Sequence, residues 1–177
     1  MFRDPTHPEL TELAAHLRAE FDPDVVEERE ITEVETEQGR RRHRSLEHVW
    51  SDAMHRGDLV TAKTTFGSVE GSVEYVGTDY TSVNGTHFTW DVRLDRASVR
   101  VRRSVMGGHS VTGGSRTFKA RLAEYEATDE EVTLFAPSLG LEIGGRLDVV
   151  ATDHLVLTTT DGDMTIPLAA IDGVRRY

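Results

Sequence analysis

The segment Val69–Val83, VEGSVEYVGTDYTSV, decides the interpretation of this chain, because a similar segment follows 74 residues later. That second segment is Ile143–Leu157, IGGRLDVVATDHLVL. A glycine, a valine, a threonine and an aspartate recur at matching positions, namely Gly71/Gly145, Val76/Val150, Thr78/Thr152 and Asp79/Asp153. Similarity at a fixed offset indicates two copies of one structural unit. The recurring threonine and aspartate are interpreted as turn formers, because such side chains bond nearby backbone amides.

Each copy is predicted to be one helix followed by five short strands. Apolar residues at helical spacing predict helices over 45–55 and 116–127. From position 59 the apolar period changes to two, which is typical of half-buried strands. The first five strands are expected near 59–65, 68–77, 80–84, 87–94 and 97–103, and the second five near 131–136, 141–151, 154–159, 163–168 and 171–176.

Two segments outside these units have a different composition. Residues 1–44 are predicted to form a helical, charged N-terminal arm, in which a capping box at Thr6–Glu9 begins a short amphipathic helix. Residues 24–44 of that arm carry an acidic run and then an arginine run, and are expected to steer or tether a partner. Residues 106–115 form a glycine-rich linker by composition. The predicted domain limits are therefore 1–44, 45–105, 106–115 and 116–177.

The composition narrows the class of protein. The 177-residue chain contains no cysteine, which excludes disulfides and thiolate chemistry and fits a reducing compartment. No apolar run approaches the roughly 20 residues that a membrane span needs. The first residues lack the basic and then apolar pattern of a secretory signal. We therefore expect a cytoplasmic protein without a membrane partner.

The net charge of −11 is unevenly distributed along the chain. Residues 1–39 carry 3 basic and 12 acidic side chains, residues 40–121 carry 14 and 8, and residues 122–177 carry 3 and 11. A basic middle between acidic ends can mark a polyanion-binding region. It can also reflect pairing of acidic and basic surfaces within the protein or between its copies, which the lack of evident aromatic platforms favours.

The glycine in the long second strand and the aspartate in the turn after it resemble the Sm-like fold. The closing segments Asp91–Val99 and Ile166–Val174 look like the last two strands of that fold and their short link. The tandem arrangement is similar to uncharacterised proteins of GC-rich bacteria. The resemblance implies an α+β, mainly β fold, with N-terminal helices followed by two small five-stranded Sm-like antiparallel barrels, each with a leading helix.

The same resemblance implies RNA binding by rings of subunits, but the residues of the family's uridine pocket differ here. The asparagine expected soon after the turn aspartate is replaced by Thr81 or Ser82 in one copy, and by Leu155 or Val156 in the other. The arginine-glycine pair of the last link is absent from both copies. The resemblance is therefore used to predict the fold, and RNA is predicted only as an alternative partner.

Two other patterns resemble chemical sites. His48, Asp52 and His55 share one helix face and offer three metal ligands, but they also fit an ordinary polar face. Gly108–Ser115 resembles a phosphate-binding loop, yet Gly114 stands where the essential lysine belongs, which favours a linker. No catalytic residue, metal site or cofactor is predicted, and the chain is not expected to be an enzyme.

Five basic residues of the middle region form the predicted nucleic-acid site: Arg100, Arg102, Arg103, Arg116 and Lys119. Arginine binds phosphate groups through paired hydrogen bonds. We predict a non-catalytic binding or scaffold protein that acts through protein–protein contacts, including contacts with copies of itself. The alternative is an RNA- or single-stranded-DNA-binding regulator that uses these five residues.

Overall fold

The structure, a computed structural model, describes residues 38–39, 42–104, 108 and 114–176. The chain divides into two compact units between Arg44 and Ser45, and the fold below is that of the second unit. The predicted N-terminal helix, most of the charged segment 24–44 and most of the linker 106–115 lie outside the described residues. Those interpretations stay predictions.

The second unit is described in two halves, Ser45–Arg102 and Thr117–Arg176. The first half contains α1 (Leu46–Arg56), β1 (Leu59–Thr64), β2 (Gly67–Val76), β3 (Tyr80–Asn84), β4 (Thr89–Arg93) and β5 (Ala97–Arg102). The second contains α2 (Phe118–Thr128), β6 (Glu131–Ala136), β7 (Leu141–Val150), β8 (His154–Thr159), β9 (Gly162–Pro167) and β10 (Gly173–Arg176). These limits agree with the sequence prediction to within two residues.

The ten strands form one antiparallel sheet in the order β5-β1-β2-β3-β4-β10-β6-β7-β8-β9. The prediction of two closed five-stranded Sm-like barrels is therefore wrong. A closed barrel would pair β4 with β5 and β9 with β10. Instead, β4 pairs with β10 of the other half, and β5 and β9 are the two open edges of the sheet.

The barrel prediction is wrong because alternation of apolar residues indicates which face of a strand is buried but does not determine which strand pairs with it. Long strand β7 alternates along most of its length, as a period of two requires, whereas β3 and β6 are buried on both faces. Strand β5 alternates partly buried and exposed residues along its full length, as a barrel strand also would. The strand that pairs with β5 is selected by hydrogen bonds between segments that are distant in sequence. The alternation of apolar and polar residues does not specify that pairing.

Both helices are capped by the residues that precede and follow them. The Ser45 hydroxyl accepts a hydrogen bond from His48 N, and the Thr117 hydroxyl accepts one from Ala120 N. Gly57, with φ 66°, ends α1 in the left-handed conformation that glycine adopts without strain.

Each helix packs against the long second strand of its half, α1 on β2 and α2 on β7. Both long strands carry a register shift, between Val73 and Tyr75 and between Leu147 and Val149. A Cβ added to Gly71 would lie 2.1 Å from the Asn84 carbonyl oxygen, and one added to Gly145 would lie 2.4 Å from that of Thr158. Glycine recurs in these two strands because the neighbouring backbone leaves no room for a side chain.

The buried side chains form two clusters. The first is built around Trp50 and Val83 of the first half, and the second around Leu122 and Leu155 of the second half. Tyr80, a first-half residue, belongs to the second cluster. The second cluster therefore crosses the boundary between the halves. Among the described residues, no helix is both long enough and apolar enough to cross a bilayer.

Candidate assembly interface

The two halves are joined where β4 meets β10, and we call this contact the internal junction. Its facing residues are Val92↔Gly173, Asp91↔Val174, Trp90↔Arg175 and Thr89↔Arg176. The Arg175 guanidinium lies over the rings of Phe88, Trp90 and Phe135, at 4.9, 5.4 and 5.6 Å from their centroids. Backbone pairing and cation–π contacts therefore hold the junction on this face of the sheet.

A buried carboxylate lies at the same junction. Asp91 is 1% exposed, and its side chain accepts hydrogen bonds from the hydroxyls of Ser82 and Tyr125 and from Arg121 Nε at 3.2 Å. Arg121 and Tyr125 come from α2, so the helix of the second half satisfies a charge of the first. Because a buried charge without partners is costly, this contact ties α2 to β4.

The environment of Asp91 shifts the pKa values of the ionisable side chains around it. Burial raises the pKa of Tyr125, and the adjacent Asp91 carboxylate raises it further. Burial opposes the charged form of Arg121, but Asp91 and Glu124 outweigh it and raise the pKa of that guanidinium. The hydrogen bond from the Ser115 hydroxyl, together with Arg121, lowers the pKa of Glu124. These shifts favour the charged forms of Glu124 and Arg121 and the neutral form of Tyr125.

The start of α2 is bound by the turn between β2 and β3. Asp79 Oδ1 accepts a hydrogen bond of 2.7 Å from Phe118 N, and Thr78 donates from both its backbone N and its hydroxyl to the Arg116 carbonyl oxygen, at 2.9 and 3.0 Å. The Phe118 ring lies 6.0 Å from that of Tyr80. The interpretation of Thr78 and Asp79 as formers of their own turn is incomplete, because these side chains bind a segment about 39 positions away.

The open edges of the sheet have an alternating chemistry. On β5 the exposed residues are Ser98, Arg100 and Arg102, and the partly buried ones are Ala97, Val99 and Val101. On β9 the exposed residues are Gly162, Asp163, Thr165 and Pro167, Met164 is partly buried and Ile166 is buried. Within the described part of the chain, each of these strands has a paired neighbour on one side only.

No family model, curated protein or solved structure matches this chain. The resemblance to Sm-like proteins is therefore not shown. The candidate interface rests on the contacts of this structure.

The five predicted nucleic-acid residues fall into two groups. Arg100 and Arg102 lie on β5 and line an open groove of about 660 Å³, and Arg103 follows them at the end of the strand. Arg116 and Lys119 lie instead at the start of α2, where Lys119 Nζ donates to the Thr152 carbonyl oxygen at 3.2 Å. The sequence grouped these side chains because they are close along the chain, and the fold distributes them between an open edge and the start of α2.

The histidines considered as metal ligands bond within their own helix. His48 Nδ1 lies 2.7 Å from the Ser45 hydroxyl, and His55 Nδ1 lies 2.6 Å from the Ser51 carbonyl oxygen. In the residues that the structure describes, no three histidine, aspartate or glutamate side chains are grouped as metal ligands.

Proposed function

We propose that this protein is a non-catalytic scaffold that associates with copies of itself head to tail, through its open edges β5 and β9. The observation that carries the proposal is the internal junction. There, the fourth strand of the first half pairs with the fifth strand of the second half. The fourth strand of the second half, β9, and the fifth strand of the first half, β5, are the two that stay at the edges.

The proposal treats the two halves as copies of one unit. In its support, the register shifts of β2 and β7 lie 74 positions apart. The short 3-10 turns Leu94–Arg96 and Leu168–Ala170 are separated by the same distance. With this offset β4 corresponds to β9, and β10 corresponds to Val99–Arg102 of β5. A contact made once inside the chain can then be made again between chains.

The register of the internal junction gives the pairs expected between two copies. Val92↔Gly173, Trp90↔Arg175 and Thr89↔Arg176 become Ile166↔Val99, Met164↔Val101 and Asp163↔Arg102. Two of these new pairs join apolar residues, and the third joins opposite charges. Such cross-strand pairs contribute about 0.2–1 kcal/mol each. The two edges are therefore complementary in the register that the internal junction supplies.

One position makes the contact between copies weaker than the internal junction. Arg93 N donates to the Asp172 carbonyl oxygen at 3.1 Å across the internal junction. Pro167 takes the place of Arg93 on β9, and proline has no N–H to donate. Proline is also a common means of limiting pairing at sheet edges. We therefore expect an association that is reversible and depends on concentration.

The geometry of the association is heterologous, because the two surfaces that meet are different. Such contacts produce a ring when the rotation between neighbours closes, and a filament when it does not. Exposed edge strands are templates for pairing with another chain. A second copy of this chain is the partner that fits, because its β9 edge complements the β5 edge in register and in charge.

The test is sedimentation velocity of the wild-type protein over a concentration range from micromolar to near-millimolar. We expect the mean mass to increase with concentration. Arg102→Glu should weaken the association by placing two like charges opposite each other, and the charge exchange Arg102→Glu with Asp163→Arg should restore it. Arg100→Glu is the matched control, since Arg100 faces the uncharged Thr165 in the expected register. A monomer at every concentration would contradict the proposal.

Nucleic-acid binding is the second candidate function, and the groove beside β5 is the observation that favours it. Arg100 and Arg102 line this groove together with Thr61 and Asn84, whose polar groups can bond a sugar-phosphate chain. Each phosphate contact with a single strand contributes a slope of about −0.7 in log affinity against log salt. Asp163→Arg separates the two candidates, since it weakens association between copies and leaves the groove intact.

A further inference from the structure

The start of α2 has two sets of hydrogen-bond acceptors. The first N–H groups of a helix have no partner inside the helix. In α2 the N–H of Ala120 donates to the Thr117 hydroxyl, which belongs to the same segment. The N–H of Phe118 donates to Asp79 Oδ1 at 2.7 Å, and Asp79 comes from the other half. The helix is therefore capped once by its own residue and once across the internal junction.

The start of α1 has the first of these caps and lacks the second. The N–H of His48 donates to the Ser45 hydroxyl at 3.3 Å. The N–H of Leu46 has no acceptor among the described residues. The Leu46 side chain is 39% exposed, whereas Phe118 at the corresponding position of α2 is 4% exposed. Among the described residues, the amide and the apolar side chain at the start of α1 thus lack the partner that their counterparts have.

The second half contains a counterpart of the Asp79 turn. The turn between β7 and β8 carries Thr152 and Asp153, identical to Thr78 and Asp79. The Asp153 side chain is 86% exposed, and Oδ1 lies 2.7 Å from His154 Nδ1. This acidic side chain occupies the position from which its counterpart, Asp79, reaches a helix.

The backbone presents the two aspartates in the same way. Leu94 N donates to the Asp79 carbonyl oxygen, and Leu168 N donates to that of Asp153, both at 2.9 Å. In both turns, the N–H two residues before the aspartate also donates, at 2.9 Å, to the carbonyl oxygen of the residue directly after the aspartate. The Asp79 side chain bonds the start of α2 at this position, so a role confined to its own turn does not account for the aspartate. The same backbone places Asp153 where it can do the same for another helix.

We infer that Asp153 caps helix α1 of a second copy, by accepting a hydrogen bond from the Leu46 N–H. The Leu46 side chain then packs against His154 of that neighbour, as Phe118 packs against Tyr80 inside the chain. This inference rests on the proposed function. It extends that function by adding to the strand contact a second contact, between a helix and a turn, which fixes the orientation of successive copies.

The two contacts are compatible with one arrangement. Inside the chain, the β4–β10 pairing and the binding of α2 by Asp79 occur together, since both join the first half to the second. Applying the same relation between copies brings β9 to β5 and Asp153 to α1 in a single step. A carboxylate near the first turn of a helix also interacts favourably with the partial positive charge there.

The test compares Asp153→Ala with the wild-type protein by sedimentation velocity. Loss of a helix-capping carboxylate should weaken the association about 5-fold, and Asp153→Asn, which keeps an acceptor oxygen, should have a smaller effect. The matched control is Asp161→Ala, because Asp161 is an exposed aspartate in the neighbouring turn between β8 and β9. As a second readout, exchange of the Leu46 amide hydrogen should slow when the wild-type protein associates, and should not slow in Asp153→Ala.

The outcomes separate this inference from the proposed function. If the wild-type protein associates, Arg102→Glu weakens it and Asp153→Ala behaves like the wild type, the capping contact is overturned and the edge pairing stands. If the wild-type protein stays monomeric at all concentrations, the edge pairing is overturned and the capping contact with it. Weaker association of Asp153→Ala with an unchanged Asp161→Ala supports the inference.

Discussion

The internal junction and the open edges involve corresponding strands, but they differ in how charge is used. At the internal junction, Arg121 and Tyr125 of α2 reach the buried carboxylate of Asp91. The corresponding positions of α1 and β9 carry no charge: Val49, Ala53 and Thr165. A permanent contact can bury a charge because its partners are always present. An edge that meets its partner only on association would leave such a charge unpaired in the separate chain, which is costly.

The largest effect is expected from breaking the charge pair of the internal junction. Arg121→Ala leaves the Asp91 carboxylate buried without its cation, and removal of one partner of a buried pair costs about 3–5 kcal/mol. Equilibrium urea unfolding measures this loss. Asp91→Thr combined with Arg121→Val, which copies the uncharged residues found at the open edges, should recover a large part of it. A loss for Arg121→Ala no larger than that of an exposed arginine would contradict the role given to the pair.

An intermediate loss of stability is expected from adding a side chain at Gly145, where β7 approaches the backbone of β8 closely. The Cβ of Gly145→Ala would meet the Thr158 carbonyl oxygen at 2.4 Å, and overpacking of this kind costs about 1–3 kcal/mol. Gly144→Ala is a control on the same strand, since the nearest heavy atoms there are 3.9 Å away. Thermal unfolding of the two variants compares them directly, and equal melting temperatures would rule out the close approach.

A smaller effect is expected from making the open edge resemble the internal junction. Leu46→Phe with His154→Tyr reproduces, between two copies, the aromatic pair that Phe118 and Tyr80 form within the chain. Aromatic pairs contribute about 0.5–1.5 kcal/mol beyond the area that they bury, so association should become about 2- to 10-fold tighter. Sedimentation velocity detects this change, and Leu46→Phe alone provides the comparison. Unchanged or weaker association of the double variant would count against the capping contact.

The smallest effect is expected from pH. The hydrogen bond from Ser104 N lowers the pKa of Asp58, against the effect of burial, and Ser115 lowers the pKa of Glu124. A carboxyl group with a depressed pKa in the folded state stabilises the fold above its unfolded pKa, and that contribution is lost as the pH falls through the folded value. Unfolding free energy should therefore decrease below the ordinary values of 3.8 and 4.5. Glu124→Gln should make the acid limb of the curve shallower, and an unchanged limb would contradict this assignment.

The local elements of this fold could be predicted from the sequence, because they depend on short-range physics. The change of apolar period at Leu59 and the helical spacing of apolar residues in α1 and α2 act over a few residues. The order of strands in the sheet could not be predicted in this way. It depends on whether β4 meets β5 or β10, and both choices satisfy the same alternation.

The candidate interface could be predicted only in part. The recurrence of Thr78-Asp79 as Thr152-Asp153 singles out these positions, but the binding of the α2 start by Thr78 and Asp79 depends on how the halves are placed. The contact between Asp91 and Arg121 joins residues 30 positions apart, and the sequence contains no periodic signal for it. The basic residues could be identified by type, but their division between the β5 edge and the start of α2 depends on the fold.

The central claim is that β9 of one copy pairs with β5 of the next in the register of the internal junction. Because the natural chain contains no cysteine, single cysteines report this register without interference. The variants Arg102→Cys and Asp163→Cys are prepared with different mass labels and mixed under mild oxidation. They should form a mixed disulfide dimer, which mass spectrometry identifies. The disulfide is expected because facing residues of paired strands have their Cα atoms within the distance that a disulfide spans. Arg102→Cys mixed with Asp161→Cys should form far less of the corresponding dimer. Equal yields from the two mixtures would contradict the account.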